Sequence, residues 1–195
     1  MIHSWEKYQW EEGEMNIKVM VSALLLVGMA LSGCSGLPQP KPPGAGNPPV
    51  ITASFAADKG MYGDIIKVYL AAEDPQGEMD RIAVQVSQVG YGVYPASWIV
   101  VKPKYAKKFV GYIQWDTYSE DTPKMPEWTQ VSMNITVIDK GGFQSVPVVL
   151  PYQFVTGAFP SLPLPAPFSQ KRVIPRIGYI DVDLINPQAP MGPID

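Results

Sequence analysis

The sequence has one histidine, His3, and one cysteine, Cys34, in 195 residues. Both lie at or before what reads as a processing site, so a mature chain would hold neither an imidazole nor a free thiol. A Ser-His-Asp or Cys-His nucleophile needs an imidazole to take the proton, and zinc sites are built mostly from His and Cys. Structural disulfides need paired cysteines. All three are excluded. Charge is scarce and balanced: 15 Lys+Arg against 18 Asp+Glu overall, and 13 against 14 from Cys34 onward. The electrostatic footprint of a nucleic-acid binder is therefore missing. The apolar stretch from Val19 to Ala30 spans twelve residues, short of the roughly 20 that a membrane-crossing helix requires. What the chain has in quantity is proline, 21 residues, in stretches that flank one modest domain.

Residues 15–34 read MNIKVMVSALLLVGMALSGC. Lys18 supplies a positive start, Val19 to Ala30 an apolar centre, and Ser32 and Gly33 small residues before the cysteine, which is the order of an export signal. Leu31-Ser32-Gly33-Cys34 resembles the lipobox of bacterial lipoproteins. That resemblance implies diacylglycerol on the Cys34 thiol, cleavage before Cys34 and acylation of its new amine, commonly with palmitate. Two or three acyl chains hold a bilayer stably where one holds marginally, at about 0.8 kcal/mol per buried CH₂. In Gram-negative members the following residue influences sorting; Ser35 stands there and favours the outer membrane, with the leaflet open. Residues 1–14, with Trp5, Trp10 and four glutamates, do not suit a signal peptide. Met15 reads as the better start, with residues 15–33 as signal peptide.

After the anchor, residues 34–49 form a tether: six prolines lie between Ser35 and Pro49, and Leu37 is its one large apolar side chain. Such a stretch buries too little to fold and extends as polyproline, about 3.1 Å per residue. From Val50 the pattern changes to short alternating segments between turns. Ile66, Val68, Leu70 and Ala72 share one parity, as do Ile82, Val84 and Val86, with Asp74-Pro75-Gln76-Gly77 between them suggesting a hairpin. Ser97 to Lys102 is a further candidate, and Phe109, Gly111, Ile113 and Trp115 share a parity. Val131, Met133, Ile135 and Val137 alternate with Ser132, Asn134 and Thr136, then Asp139-Lys140-Gly141-Gly142 turns the chain into Val146 to Phe154. With Val50 to Ala56 these make about seven strands and no helix. The expectation is an all-β protein, a single antiparallel β-sandwich over residues 50–156.

Ala72-Glu73-Asp74-Pro75-Gln76-Gly77 and Val137-Ile138-Asp139-Lys140-Gly141-Gly142 resemble bacterial immunoglobulin-like domains of the fibronectin III, cadherin-like or PKD-like kind. The resemblance covers about half the chain and implies a binding or assembly role without catalysis. Residues 157–195 are Pro-rich again, eight prolines in 39 residues, with alternating Ile180, Val182 and Leu184 offering a short strand. An isolated strand must pair with its own domain or with a partner. The tail is expected either to contact another envelope protein through these residues or to dock on its own sandwich.

Four groups could carry chemistry. Glu73, Asp74, Asp80 and Asp139 would meet at one end of a sandwich and suit calcium, which takes about six to eight oxygens; alternatively Asp74 and Asp139 stabilise turns through backbone hydrogen bonds. No other cofactor is implied. Asp116, Glu120, Asp121 and Glu127 form an acidic loop that a carboxylate hydrolase could use, although so short a chain offers little cleft. Aromatic rings crowd the middle third. Of these, Tyr91, Tyr94, Trp98 and Tyr105 are expected to contact a partner or the apolar face of a glycan, whereas Trp115 and Trp128 read as core. Lys102, Lys104, Lys107 and Lys108 form a basic cluster that meets acidic groups or only water. The sequence thus points to a lipid-anchored envelope protein, bound to the bilayer through Cys34, with a protein or glycan partner and no catalytic site.

Overall fold

The structure is a computed structural model that describes residues 47–157, 162–170 and 173–188. The signal peptide, Cys34, Ser35 and most of the tether lie outside the described residues. The described residues all fall within one compact unit, Pro43–Asp195. Among them ten strands form: β1 (Val50–Phe55), β2 (Lys59–Gly60), β3 (Ile65–Glu73), β4 (Met79–Gln88), β5 (Gly92–Val93), β6 (Ser97–Val100), β7 (Lys108–Asp116), β8 (Gln130–Asp139), β9 (Val148–Phe154) and β10 (Arg176–Ile180). The only helical turns among the described residues are three short 3₁₀ segments.

Alternation explains both the strands and the way they face. On β8, Val131, Met133, Ile135 and Val137 are buried while Gln130, Ser132, Asn134 and Thr136 turn outward, because successive side chains of a strand point to opposite faces. Two sheets pack through these inward rows. One has the order β1-β3-β7-β10; the other runs β2-β9-β8-β4, with β5 and β6 both along the outer edge of β4. Leu70, Ile113 and Trp115 meet Val84, Met133 and Phe154 in the core. The chain is an all-β, immunoglobulin-like β-sandwich.

Two features depart from the sequence expectation. The Asp74-Pro75-Gln76-Gly77 turn does not make a hairpin: β3 pairs with β1 and β7, whereas β4 pairs with β8. The turn crosses from one sheet to the other, since both strands bury a full apolar row and each needs a facing layer to bury it against. Two short pairings are parallel, β2 with β9 and β10 with β7. The latter carries the tail into the fold.

Candidate binding face

The tail supplies more than one strand. After β10 the chain runs on extended between the sheet edges, and Ile180, Val182 and Leu184 are all buried in the core. Backbone groups of this stretch are held from both sheets. The Trp115 Nε1–H on β7 donates to the Val182 carbonyl at 2.9 Å, and the Asp181 N–H donates to Ser97 Oγ on β6 at 3.0 Å. Gln88 Nε2 donates to the Ile185 carbonyl at 2.8 Å, while the Ile185 N–H donates to the Tyr94 hydroxyl at 2.9 Å. Two glycines admit the strap. A Cβ on Gly111 would lie 2.6 Å from Ile177 Cγ2, and one on Gly178 would lie 2.4 Å from Ile99 Cγ2, so each glycine leaves the space that an isoleucine fills. Of the two roles expected for the tail, docking on its own domain is the one seen, and Ile180, Val182 and Leu184 are not available to a partner.

The same tail also lies against part of the four-stranded sheet. Phe168, 1% exposed, packs its ring 5.6 Å from that of Tyr69 on β3. Tyr69 in turn lies 5.9 Å from Tyr112 on β7. Burial pushes the Tyr69 phenol above its ordinary value, with the Tyr112 hydroxyl adding to the rise.

The expected aromatic contacts separate. Tyr94 is 6% exposed. Its hydroxyl donates to Gln88 Oε1 while accepting from Ile185, and burial raises its pKa. Sequence placed it at a loop surface; the incoming tail buries it. Tyr91 stays exposed, stacked 4.8 Å from the Tyr94 ring. Tyr105 is half-buried against the core, with Lys104 Nζ 4.8 Å above its ring. Trp98 is 59% exposed. Trp115 is core as expected, but Trp128 is exposed.

The acidic candidates are engaged individually. The Asp74 carboxylate, fully buried, accepts from the Gln76 and Glu78 N–H groups at 2.9 and 2.7 Å. Asp139 accepts from the Phe143 N–H at 2.9 Å. Glu73 pairs with Lys108 and Asp80 with Arg81, each at 3.1 Å on the surface. Among the described residues no three His, Cys, Asp or Glu side chains stand together as a metal ligand set. Asp74 and Asp139 thus make the local backbone hydrogen bonds of the turn reading. Asp116 accepts from Tyr118 N–H and Asp121 pairs with Lys124 at 3.6 Å. The loop that carries them, with Glu120 and Glu127, lines neither of the two larger grooves. Lys102, Lys104 and Lys107 are exposed around the 3₁₀ turn Pro103–Tyr105, which joins β6 of one sheet to β7 of the other.

The tail lies over the four-stranded sheet around Tyr69 and leaves Ile65 and Tyr179 exposed there, whereas the outer face of the six-stranded sheet is open along its four neighbouring strands β9, β8, β4 and β6. Its register aligns Trp98, Ala83 and Thr136 across β6, β4 and β8. Gln85, Asn134 and Val149 align across β4, β8 and β9, and Ser87, Ser132 and Pro151 form the next row. Arg81 reaches over the Trp98 ring, 5.7 Å from its centroid, while held by Asp80. At the far end, a groove of about 520 Å³ is lined by Ser87, Val93, Gln130, Ser132, Pro151 and Gln153. Sequence reasoning marked these polar positions as the solvated parity of each strand. Their collection into one face, with Arg81 and Asp80 at its end, follows from which strands pair.

No family model matches the chain, and no curated protein matches it. Among solved structures it is similar to the PKD domain of an M14-like peptidase from a Thermoplasmatales archaeon, at 16% identity and a TM-score of 0.35, over 57% of this chain and all of that one. It is also similar to the CARDB domain of a Pyrococcus furiosus protein, solved in complex with di-metal ions. That likeness has 12% identity and a TM-score of 0.29, over 56% of this chain and 93% of that one.

Proposed function

We propose that this protein is a lipid-anchored component of a bacterial envelope whose sandwich holds another envelope component without catalysis. The bare outer face of the six-stranded sheet is its contact surface. The observation that carries the reading is the outer face of the six-stranded sheet, open across β4, β6, β8 and β9 with Trp98, Val100 and Val149 exposed on it. A nearly neutral domain held to a bilayer by acylated Cys34, above a Pro-rich tether, suits holding rather than turnover, and the side chains of the face include no nucleophile and base pair. The outer membrane is the favoured site because Ser35 follows Cys34.

Labelled palmitate and membrane fractionation test the anchor: the protein should carry label and sediment with membranes, and Cys34→Ala should lose both. An unlabelled wild-type protein would overturn the lipid anchor. A photoreactive side chain in place of exposed Val100 should give a crosslinked species of higher mass in intact cells. Absence of any crosslink would remove the bare face as the contact surface.

A further inference from the structure

The bare face reverses the layout of a protein interface. Protein partners meet through an apolar centre with aromatic anchors, inside a polar rim. Here the central strands β4 and β8 present Gln85, Ser87, Ser132, Asn134 and Thr136. The exposed apolar side chains, Val93, Trp98, Val100 and Val149, stand on the flanking strands β5, β6 and β9. Charge is confined to the margins: Arg81 and Asp80 are paired with each other, and Asp58 lies beside the groove. The centre holds no ionised group.

We infer that this face binds an uncharged polysaccharide chain laid across the strands, with one sugar ring stacked on Trp98 and its neighbours hydrogen-bonded by Gln85 and Asn134. The inference rests on the binding role proposed above and names the ligand class for the same face. A pyranose ring has a C–H face and a rim of hydroxyls. The first needs a flat aromatic surface; the second needs groups that both donate and accept, as side-chain amides do. Both are present in the right order. Trp98 stands opposite Ala83 and is largely exposed, with Arg81 over one face of its ring, so the surface left for a sugar is the face that Arg81 does not cover. Gln85 and Asn134 form a directly paired row on the next two strands, two residues along from the row of Trp98, Ala83 and Thr136. Neighbouring strands lie about 4.8 Å apart, close to the advance of one sugar residue along an extended glycan. A chain running obliquely from Trp98 on β6 therefore passes Gln85 on β4 and, one strand further, Asn134 on β8. The groove among Ser87, Gln130, Ser132 and Gln153 adds hydroxyls and amides beside that path. An anionic glycan would find no free cation at the centre, and a second copy of this face would bring amides against amides with no apolar core.

Affinity electrophoresis of the full-length protein in detergent tests this, with hydroxyethyl cellulose and glycol chitin as uncharged polymers and alginate as an anionic one. At least one uncharged polymer should retard the protein and alginate should not. Trp98→Ala, and the double variant Gln85→Ala with Asn134→Ala, should each weaken retardation at least tenfold with an unchanged thermal midpoint. Tyr179→Ala, at an exposed ring on β10, should leave it intact. No retardation by either uncharged polymer, retardation by alginate alone, or retardation that survives both sets of variants would overturn the inference. Those failures would leave the palmitate label and the Val100 crosslink untouched, and a protein captured at Val100 with blank gels would identify the ligand as a protein.

Discussion

Tyr94 shows how one hydroxyl can join parts of the chain far apart in sequence. It donates to Gln88 and accepts from Ile185, so Tyr94→Phe leaves a polar group unpaired at each contact. A loss of about 1–3 kcal/mol follows from such orphaned groups, read as a shift in urea midpoint together with faster proteolysis of the tail. Asp74 and Asp139 carry a comparable load in the turns. Asp74→Ala should cost about as much, because two backbone N–H groups lose their acceptor, while Glu73→Ala or Asp80→Ala breaks only an exposed ion pair worth about 0–1 kcal/mol. Equal losses from Asp74 and Glu73 would contradict this account. At this scale the sequence was legible for Asp74 and Asp139, because Asp beside Pro or Gly makes local bonds. It was not legible for Tyr94: nothing near Gly90-Tyr91-Gly92-Val93-Tyr94 announces that residue 185 returns to cover the ring.

At the scale of elements, the seven strands β1, β3, β4, β6, β7, β8 and β9 were legible as short segments between turns, and their neighbours in the sheets were not. The turn between β3 and β4 has hairpin residues, yet it carries the chain across to the other sheet. Local turn chemistry sets the bend; it does not choose the partner, which for the central pairings with β7 and β8 depends on rows more than 30 residues away. The strand β10 lies at the opposite extreme. Its alternation was visible at Ile180, Val182 and Leu184, but the strand itself ends at Ile180 and the other two are buried by an extended run beyond it. Gly178 makes that placement possible, since a Cβ there would overlap Ile99. Gly178→Ala should therefore destabilise the fold by about 1–3 kcal/mol through overpacking, and Ile99→Ala in the same chain should recover part of the loss by opening the space. A Gly178→Ala protein with unchanged midpoint would show that β10 does not pack there.

The whole molecule is completed by its tail. Truncation after Gly157 removes Phe168, Ile180, Val182 and Leu184 from the interior, and each such side chain contributes about 1.5–3 kcal/mol on burial. The truncated chain should bind a hydrophobic dye and unfold at much lower urea; an unchanged midpoint would make the tail an accessory. Alkaline pH probes the same interior. Burial raises the phenols of Tyr62, Tyr69, Tyr94 and Tyr152 above their ordinary value, with the Asp64 carboxylate adding to the rise at Tyr152. The folded state keeps these protons while the unfolded chain releases them near pH 10. Stability is thus complete below about pH 10 and falls as pH climbs through the raised values. Urea midpoints between pH 8 and 11 should show that decline, and Tyr152→Phe should reduce its slope.

By itself the sequence determined the class of structure: residues of period two with turns between them can bury an apolar row only as strands in packed sheets. It also ruled out a structural disulfide and a zinc site built from several His and Cys ligands, since the chain has one histidine and one cysteine. Tertiary structure alone decided which strands neighbour one another, that the tail closes its own sandwich and buries Tyr94, and that Gln85, Asn134 and Trp98 share an open face. Those outcomes depend on contacts between rows distant in the chain, whose burial energy is common to many pairings and becomes selective only when two particular surfaces, such as Gly178 and Ile99, fit.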